Sequence, residues 1–497
     1  MSVEHLTYPL WLRTAHWLNV LFLSLLARSG LEILSAHPKL YWNDDCRLGS
    51  EWLAIRPRPT PPGELFTADD QEQDWHSLVA LPGHRHWDLG RHWHFAAVPL
   101  WILTGAAYLA LLFGTGEWRR LVPTSWDVLP GAWHTLVAYL HFRIPDPAGT
   151  HNPLQQLTYF AVVFGLAPLS IATGAAMSPA VAARFPGYLR LFGGRQAARS
   201  LHFLSLLAFT AFSLVHVAMV AAHGLGRELA LMVLGQVREP DLARALALGG
   251  ALIGGIVLVH VAATRFTLRR PDLVQDAAER FVDPVRRALL GRLKSVQAYD
   301  PGRISPYLWV NGRPPAEPDW LALAEGGFQD YVLEVGGLVE RPLRLSLADL
   351  RALPARTQVT LHVCIQGWSG FAAWTGVGLD TLMDLCRPLP GARDVVFRAF
   401  DDKGRSEPRP KASGFYYGTV PMEMARHPQT LLAYDLNGAP LPREHGAPLR
   451  LRLETQYGFT MVKYIRAIEF VASFREVGKG RGGWPEDNLY RSREASL

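Results

Sequence analysis

The apolar stretch over residues 198–222 constrains the fold of this chain most, because it carries two histidines and no charged side chain after Arg199. A run of this length predicts a helix that crosses a membrane, whose hydrocarbon core is about 30 Å thick. His202 and His216 are fourteen residues apart. That is close to four helical turns, so both imidazoles leave one face, roughly 21 Å apart along the axis. An imidazole in lipid is costly unless it bonds to a partner inside a helix bundle.

Two explanations fit this pair of histidines. Each could form a hydrogen bond with a neighbouring helix, or each could bind a metal near one membrane surface. Histidine is a standard axial ligand of haem iron, so two imidazoles on one helical stripe indicate two stacked haem sites as the second possibility. The other apolar stretches bear on the choice.

The first half of the chain contains several apolar runs of membrane-spanning length. They predict five spans, near residues 14–34, 93–113, 154–176, 198–222 and 245–265. Consecutive spans alternate in direction, so the beginnings of spans two and four share one membrane surface. The beginning of span one shares the other surface with the end of span four. His94, or its neighbour His92, therefore meets His202. His16 meets His216 in the same way, and these two cross-helix pairs favour haem over isolated hydrogen bonds.

Four segments of this region are distinctive, namely TAHWLN, RHWHFAAVPLWILTG, NPLQQLTYFAVVFGLAPLSIATGAAMSP and ARSLHF…LVHVAMV. Over about residues 8–240 they resemble the di-haem cytochrome b subunits of nickel-iron hydrogenase, formate dehydrogenase and thiosulfate reductase. The resemblance implies electron exchange with membrane quinone and four haem ligands, at His16, His94, His202 and His216. In this resemblance His94 matches the family's ligand and His92 is the alternative. His260, in span five, has no partner, so a structural role or a role in quinone and proton handling is assigned to it.

A basic segment follows span five, over residues 265–296. Its apolar residues fall on one helical stripe, formed by Phe281, Val285, Leu289, Leu293 and Val296. The pattern is typical of a helix on anionic headgroups or of a solvated helix, either bent or begun at Pro284. The positive-inside rule predicts that this basic segment is cytoplasmic, whereas the cytochrome resemblance implies a cytoplasmic N-terminus and hence an external C-terminal part. The sequence leaves the side open.

The pattern changes from about residue 307 to short strands separated by Gly and Pro turns. Strands are predicted in DYVLEVGGLV, TQVTLHVC, DVVFRAF, PLRLRLE and KYIRAIEFV, and short helices in SLADLRALP and GLDTLMDLC. The predicted fold class is therefore multi-domain: an all-α transmembrane bundle over residues 1–240, a fifth span and linker over 241–304, and a soluble α+β, β-rich domain over 305–490. The net charge is +6, but no basic stripe with interleaved aromatics is present, which argues against a nucleic-acid partner.

Cys364 is the chemical candidate of the soluble part. The chain has three cysteines, Cys46, Cys364 and Cys386, which form neither a CxxC pair nor a disulfide framework. Cys364 ends the strand TQVTLHV and precedes the turn IQGWSG. It could be a small buried apolar residue or a soft thiolate ligand for a transition metal.

Three further segments say more about the role of Cys364 than the spacing of its neighbours does: HVCIQGWSGFAAWTGVGL, LLAYDLNGAPLPREHGAPLRLRL and YGFTMVKYIRAIEFV. They resemble the molybdopterin domain of the sulfite oxidase family, including its bacterial sulfoxide-reductase branch. The resemblance implies that Cys364 ligates molybdenum beside the pterin dithiolene. It also implies pterin or phosphate contacts at His445, Arg450, Lys463, Asn311, Tyr417 and Thr419, the last three with turn or strand roles as the alternative. Cations and an imidazole suit a buried phosphate.

One position departs from that family. Sulfite oxidases place an arginine for the substrate anion where this chain has Thr460. An oxyanion site without this cation binds more weakly, so we expect a less charged substrate than sulfite. Trp368 and Trp374 are candidate walls of its pocket.

These features predict a molybdenum oxidoreductase in the bacterial cytoplasmic (inner) membrane, with two haem b groups and one molybdenum–molybdopterin. Electrons would pass between quinone or quinol, the haems and the molybdenum, where an oxygen atom is exchanged with a small molecule. Reduction of an oxide or sulfoxide and oxidation of a substrate fit equally. The alternative is a haem electron-transfer protein whose soluble domain docks another redox enzyme. Cys364 argues against that alternative, because docking needs no metal ligand.

Overall fold

Long apolar helices form the first half of the computed structural model, which describes residues 8–60, 62–144, 151–178, 181, 184–235, 241–290, 296–408, 410–454 and 456–490. Within these residues, five helices are long and apolar enough to cross a membrane, and each contains one predicted span. The helices of this half are α1 (Leu10–Ser35), α2 (Trp87–Gly114), α3 (Val128–Leu140), α4 (Pro153–Phe160), α5 (Ala167–Ala176), α6 (Pro186–Leu191), α7 (Arg195–Val233), α8 (Leu242–Arg269) and α9 (Pro271–Leu290). A π-helical segment, Ala161–Leu166, joins α4 to α5, and the three together form the third span.

Local sequence explains where several of these helices begin or break. Asn152 caps α4 by accepting a hydrogen bond from Gln155 N, with Pro153 at the first helical position, as helix starts prefer. Asp241 caps α8 in the same way. Within α7, Gly224 has a φ of 105°, a left-handed value that only glycine adopts readily, and the helix is kinked there.

The basic segment after span five forms α9, which begins at Pro271 and contains Pro284 in its interior. Of the two alternatives for Pro284, the start of a helix is therefore wrong. Val274 and Ala278 are buried, whereas Phe281 on the predicted stripe is 44% exposed. Leu293 and the side chains of Val285 and Leu289 lie outside the described residues.

Polar contacts join the spans inside the bundle. Trp101 Nε1 donates to Asn19 Oδ1 at 2.9 Å, and Trp93 Nε1 donates to Thr267 Oγ1 at 2.9 Å. His260 Nε2 lies 2.8 Å from Ser24 Oγ. Such hydrogen bonds between membrane helices supplement van der Waals packing, since lipid offers no hydrophobic driving force.

Two five-stranded sheets form the second half. The strands of these sheets are β3 (Val332–Gly337), β4 (Leu343–Ser346), β5 (Ala355–Val363), β6 (Ser369–Gly378), β7 (Asp394–Asp402), β8 (Phe415–Pro421), β9 (Leu431–Leu436), β10 (Ala439–Pro440), β11 (Arg450–Arg452) and β12 (Ile465–Val471). Two further strands of two residues each, β1 (Lys39–Leu40) and β2 (Leu53–Ala54), form a separate antiparallel pair in the first half. One sheet has the order β10-β9-β6-β5 with β11 beside β9, and the other has β4-β3-β12-β7-β8. All pairings are antiparallel except β3 with β12.

The two sheets share one hydrophobic core. Val377 and Leu432 from one sheet and Phe397 and Ile468 from the other are all fully buried in it. The short helices described in this half are α10 (Pro318–Glu325), α11 (Leu347–Ala352), α12 (Leu379–Cys386), α13 (Lys403–Ser406), α14 (Met422–Ala425) and α15 (Trp484–Asn488). Helices α11 and α12 are the two that the sequence predicts. Strand β6 lies between β5 and β9 and is nearly all buried, so its sequence lacks the alternation that identifies strands with one exposed face.

The loop between α1 and α2 packs against the second half. Residues 41–74 are rich in Pro, Asp and Glu, which predicts an irregular extramembrane insert. In the structure, Tyr41 and Cys46 of this loop are fully buried in one cluster with Trp309, Cys364 and Trp368. The first half of the chain therefore contributes to the surroundings of Cys364.

Candidate functional site

Cys364 lies in a tight turn between β5 and β6. Its backbone N donates to Trp368 O at 3.0 Å, and Gly367 N donates to Cys364 O at 3.0 Å. The Sγ atom accepts from Asn311 Nδ2 at 3.1 Å and lies 3.5 Å from Gln366 Oε1. The thiol is thus fixed in position and fully buried, with an amide on each side.

A cavity of about 160 Å³ opens next to this turn. Its wall includes Asn311, Trp368 and Trp309. Cys364 is not one of the wall residues, but its Sγ accepts from the wall residue Asn311. Four of the six predicted pterin contacts line it, namely Asn311, His445, Arg450 and Lys463.

One side of the cavity is basic, because Arg450, Lys463 and His445 line it. Lys463 Nζ donates to Asn311 O at 2.7 Å, and Arg450 Nη1 donates to His445 O at 2.8 Å. Burial and the nearby Lys403 and Arg450 lower the pKa of Lys463 to about 7. Burial, Arg450 and Lys463 lower the pKa of His445 to about 3. Neither Arg450 nor Lys463 forms an ion pair within the described residues, so an anionic phosphate fits here.

His362, two residues before Cys364 on β5, also lines the cavity and is absent from the predicted site. Its Nδ1 lies 2.8 Å from Arg452 Nη1, and Arg452 pairs with Glu454 at 3.1 Å. Burial, Arg452 and other cations hold the pKa of His362 well below its usual range. The sequence could have indicated His362, because it lies two residues before Cys364 and residues i and i+2 of a strand share one face.

Trp374, a candidate wall, does not line the cavity. Its ring is fully buried and supports the guanidinium groups of Arg450 and Arg452, at 4.6 and 4.3 Å from the ring centre. Such cation–π contacts fix the orientation of an arginine head. Trp374 therefore positions the basic side from behind.

Tyr417 and Thr419 face away from the cavity. The Tyr417 hydroxyl donates to Asp487, and Thr419 Oγ1 donates to Gly482 O, so both attach the C-terminal segment to β8. Tyr416, one residue earlier and on the opposite strand face, lines the cavity instead. Thr460 donates to Tyr457 O at 2.8 Å and is not part of the wall, although its neighbours Phe459 and Met461 are.

An acidic side of the cavity comes from the loop between α1 and α2. Asp69 Oδ1 accepts from Gln366 Nε2 at 2.5 Å, and its Oδ2 accepts from Gly312 N at 3.0 Å. Burial and repulsion from Glu72 and Glu407, partly offset by Lys403 and Lys411, raise the pKa of Asp69 to about 6. The sequence gives no signal for this placement.

Glu72 lies beside Asp69 but is compensated. It pairs with Arg85 at 2.9 Å and with Lys411 at 3.7 Å, and accepts from Trp87 Nε1 at 2.9 Å. Burial alone would raise the pKa of Glu72, but Lys411 and Arg85 lower it further than burial raises it. Glu72 is therefore a negative charge that is neutralised within the wall.

The four predicted haem ligands form two pairs inside the bundle. His94 faces His202 with ring centres 6.3 Å apart, and His16 faces His216 at the same 6.3 Å. Metal–imidazole nitrogen bonds of about 2 Å place two rings on opposite sides of one ion with roughly 6 Å between their centres. Both pairs fit one haem iron each.

Partners on the remaining nitrogens orient the first pair. His202 Nδ1 donates to Ser170 O at 3.0 Å, and His94 Nδ1 lies 3.1 Å from Ser29 Oγ. Bonds of this kind leave Nε2 free for a metal. In the second pair His216 Nδ1 lies 3.5 Å from Tyr159 OH, while His16 Nδ1 has no partner among the described residues.

His92 and His260 belong to neither pair. His92 Nδ1 bonds to Asp88 O of its own helix at 2.9 Å. His260 lies between Ser24 and Arg28 of α1, each 2.8 Å away. His94 is therefore the residue of the two candidates that the structure brings to His202.

Family comparisons agree with this division of the chain. Residues 7–235 match the prokaryotic cytochrome b561, and residues 322–476 match the oxidoreductase molybdopterin-binding domain. The chain is a fusion of these two domains. The predicted fusion and fold class are confirmed, and the domain content is that of a molybdopterin oxidoreductase.

The curated relatives match this chain over only about half of their own length. The putative protein-methionine-sulfoxide reductase subunit YedZ1 of Azospira oryzae is 36% identical over 160 residues, 32% of this chain and 54% of that protein. The catalytic subunit MsrP of the protein-methionine-sulfoxide reductase of Campylobacter jejuni is 32% identical over 146 residues, 29% of this chain and 49% of that protein. The chain thus spans about half the length of these relatives. The crystal structure of the sulfane dehydrogenase SoxCD from Paracoccus pantotrophus overlaps at a TM-score of 0.26 and 24% identity, over 31% of this chain and 45% of that chain, which is too little to carry an argument.

The cytochrome b561 domain meets the molybdopterin domain at the Cys364 turn. Arg195 Nη1 and Gln196 Nε2, at the start of α7, donate to Gly367 O at 2.9 and 2.8 Å. Gly367 has a φ of +120°, and a Cβ there would lie 3.2 Å from the Arg199 guanidinium. Only glycine combines this backbone conformation with so close a helix.

Proposed function

We propose that the chain is a membrane-bound, quinol-driven sulfoxide reductase. The observation that carries the proposal is the contact between the start of α7, which bears His202 and His216, and the turn that bears Cys364. One helix therefore links both histidine pairs to the metal-binding turn. Haems held by the two pairs would supply one-electron transfer, and a molybdenum–pterin held by Cys364 would supply two-electron exchange of an oxygen atom.

The order of the histidine pairs follows from helix geometry. His202 lies six residues beyond Gln196, roughly 9 Å along the axis, and His216 lies about 30 Å beyond it. We infer that the His94–His202 pair is the one that exchanges electrons with the Cys364 site. The His16–His216 pair lies toward the opposite membrane surface.

Residues of the cavity would hold the pterin through charge and hydrogen bonds. Arg450, Lys463 and His445 form the basic side that suits its phosphate, and His362 with Asn311 lies next to the thiol. We propose pterin contacts for these five residues. Tyr416 is proposed in place of Tyr417 and Thr419, which face the other way.

Quinol supplies the electrons and protons that reduction of a sulfoxide consumes. A sulfoxide takes up two electrons and two protons and gives a sulfide and water, while quinol releases two electrons and two protons. The names of the YedZ1 and MsrP relatives support a sulfoxide substrate. Thr460 stands where sulfite oxidases have a substrate-binding arginine, so that cation is missing here, although Thr460 itself is not part of the cavity wall.

We further propose that the protein lies in the bacterial inner membrane. The molybdopterin domain is on the side where α1 and α8 end and where α2 and α7 begin. The domain limits that we propose remain residues 1–240, 241–304 and 305–490, with the loop between α1 and α2 contributing to the last.

Purified protein in detergent tests the proposal directly. We expect two haems and one molybdenum per chain, and reduction of methionine sulfoxide with a reduced quinol analogue as the only donor. Cys364→Ser should abolish turnover and leave the haem absorption spectrum unchanged. A haem-loaded preparation without molybdenum, or one that needs a second protein for any turnover, would instead support the docking alternative.

A further inference from the structure

Asp69 reaches the molybdopterin cavity from the other domain. It lies in the loop between α1 and α2, 297 residues before its partner Gln366. Gln366 in turn bonds to Trp368 Nε1 at 3.2 Å and lies 3.5 Å from Cys364 Sγ. The carboxylate is therefore separated from the thiol by one side-chain amide, on the wall of the cavity.

The neighbours of Asp69 bond to it without neutralising its charge. Its two hydrogen-bond donors, Gln366 Nε2 and Gly312 N, are both uncharged. It forms no ion pair with any side chain that the structure describes. By contrast, Glu72 pairs with Arg85, and Lys403 pairs with Asp401 at 2.9 Å and with Glu407 at 3.3 Å.

A role in shaping the loop does not account for this residue. Asp70 completes the capping box of the short 3₁₀ turn, because its Oδ2 accepts from the N-cap residue Thr67, from N at 2.8 Å and from Oγ1 at 3.0 Å. Asp70 also pairs with Arg313 at 3.2 Å. The loop is thus held by its neighbour, and the Asp69 carboxylate is left facing the cavity.

The cavity therefore has two sides of opposite charge, and no ion pair within the described residues neutralises Asp69 on one side or Arg450 and Lys463 on the other. Arg450 and Lys463 form the positive side, which suits the pterin phosphate. Asp69 forms the negative side, next to Gln366 and the Cys364 turn. With its pKa near 6, Asp69 is ionised at neutral pH, so its field attracts cations and repels anions that enter beside the metal-binding thiol.

We propose that Asp69 determines substrate specificity, so that the site selects sulfoxides carrying a positive group and rejects anionic oxides. The inference rests on the proposed function, because it concerns the substrate of that same site. It makes the cytochrome b561 domain a contributor to specificity as well as to electron supply.

A series of sulfoxides that differ in charge tests the proposal. 3-(Methylsulfinyl)propyltrimethylammonium carries a permanent positive charge, dimethyl sulfoxide is neutral and N-acetylmethionine sulfoxide is anionic. We expect the full-length holoenzyme, with a reduced viologen as donor, to have kcat/KM values that fall in that order when expressed per molybdenum. Asp69→Asn should lower the cation-to-anion ratio roughly tenfold or more.

Asp74→Asn is the matched control. Asp74 lies in the same loop, but its side chain is 63% exposed and does not line the cavity; its Oδ1 lies 3.4 Å from His84 Nδ1. The same loss of one negative charge there should leave the ratio unchanged. A fall in the ratio for both variants would indicate long-range attraction by the loop and would overturn the role of Asp69.

Binding of the corresponding sulfones separates specificity from turnover. The permanently cationic 3-(methylsulfonyl)propyltrimethylammonium and the anionic N-acetylmethionine sulfone would be titrated calorimetrically into the wild-type holoenzyme and Asp69→Asn. Preference for the cationic sulfone that is lost in the variant supports the proposal even if no sulfoxide is reduced, in which case the proposed function fails alone. Equal binding of both sulfones, or a variant that loses molybdenum while keeping the ratio, overturns it.

Discussion

The contact between α7 and the Cys364 turn depends on one carbonyl oxygen with two donors. Among the described hydrogen bonds, Gly367 O accepts only from Arg195 Nη1 and Gln196 Nε2. Gln196 also donates to Ser369 Oγ at 2.9 Å. Arg195→Ala, Gln196→Ala and the double variant therefore test how firmly the two domains are joined.

The two donors should be strongly coupled. Either single substitution leaves Gly367 O with one donor, so each should weaken the contact by about 1–2 kcal/mol, the net value of one or two hydrogen bonds. The double variant leaves a buried carbonyl without a donor, which costs about 1–3 kcal/mol more than the sum of the single effects. Because about 1.4 kcal/mol is a tenfold change in an equilibrium, local opening of the turn should rise at least 100-fold in the double variant.

Hydrogen–deuterium exchange of the peptide over residues 364–370, in detergent, measures this opening. Quinol-driven turnover should fall in the same order, while turnover with a viologen that reduces the molybdenum site directly should fall less. Gln156→Ala is the control, because Gln156 makes the same kind of side-chain contact at the opposite end of the bundle. Strictly additive effects, or unchanged exchange in the double variant, would refute the shared-acceptor argument.

Three further predictions use the histidine pairs, the pKa of Asp69 and the metal. His202→Ala should lose one of two haems and all quinol-driven turnover but retain viologen-driven turnover; loss of both activities would contradict the placement of this pair beside the Cys364 turn. Asp69 is neutral below its pKa of about 6 and negative above it, so kcat/KM for the cationic sulfoxide should rise with pH through about 6. Asp69→Asn should flatten this profile, and a flat wild-type profile would speak against the field of Asp69. Protein from cells grown on tungstate without molybdate should keep its haem spectrum and lose sulfoxide reduction, unless the substrate reacts elsewhere.

The membrane half was readily predictable because lipid restricts what a chain can do. Each apolar run had to become a helix, since backbone groups in hydrocarbon must be bonded within the segment. Alternating direction then fixed which helix ends meet, and the structure brings His94 to His202 and His16 to His216 as that argument requires. In the soluble half, alternating or apolar runs predicted strands β3, β5, β7, β11 and β12, whereas the nearly fully buried β6 was not predicted.

Individual cavity residues were harder to predict, for two physical reasons. Strand residues one apart point to opposite faces, so a motif that identified FYYGTVP as a whole could select Tyr417 where Tyr416 faces the cavity. Loop residues have no period at all, and Asp69 reaches Gln366 only because the loop packs on a domain far along the chain. Resemblance to separate families cannot reveal a contact that exists only when the two domains are joined.

The shared surroundings of Cys364 argue that the two domains are one functional unit. Tyr41, Cys46 and Trp87 from the membrane half pack in the same buried cluster as Trp309 and Cys364. A molybdopterin domain separated from the helices would expose these apolar surfaces and lose the Asp69 carboxylate together with both donors to Gly367 O. The contact between the two domains therefore does more than tether one to the other. It completes the wall of the cavity, fixes the turn that bears Cys364, and places the helix of His202 against that turn.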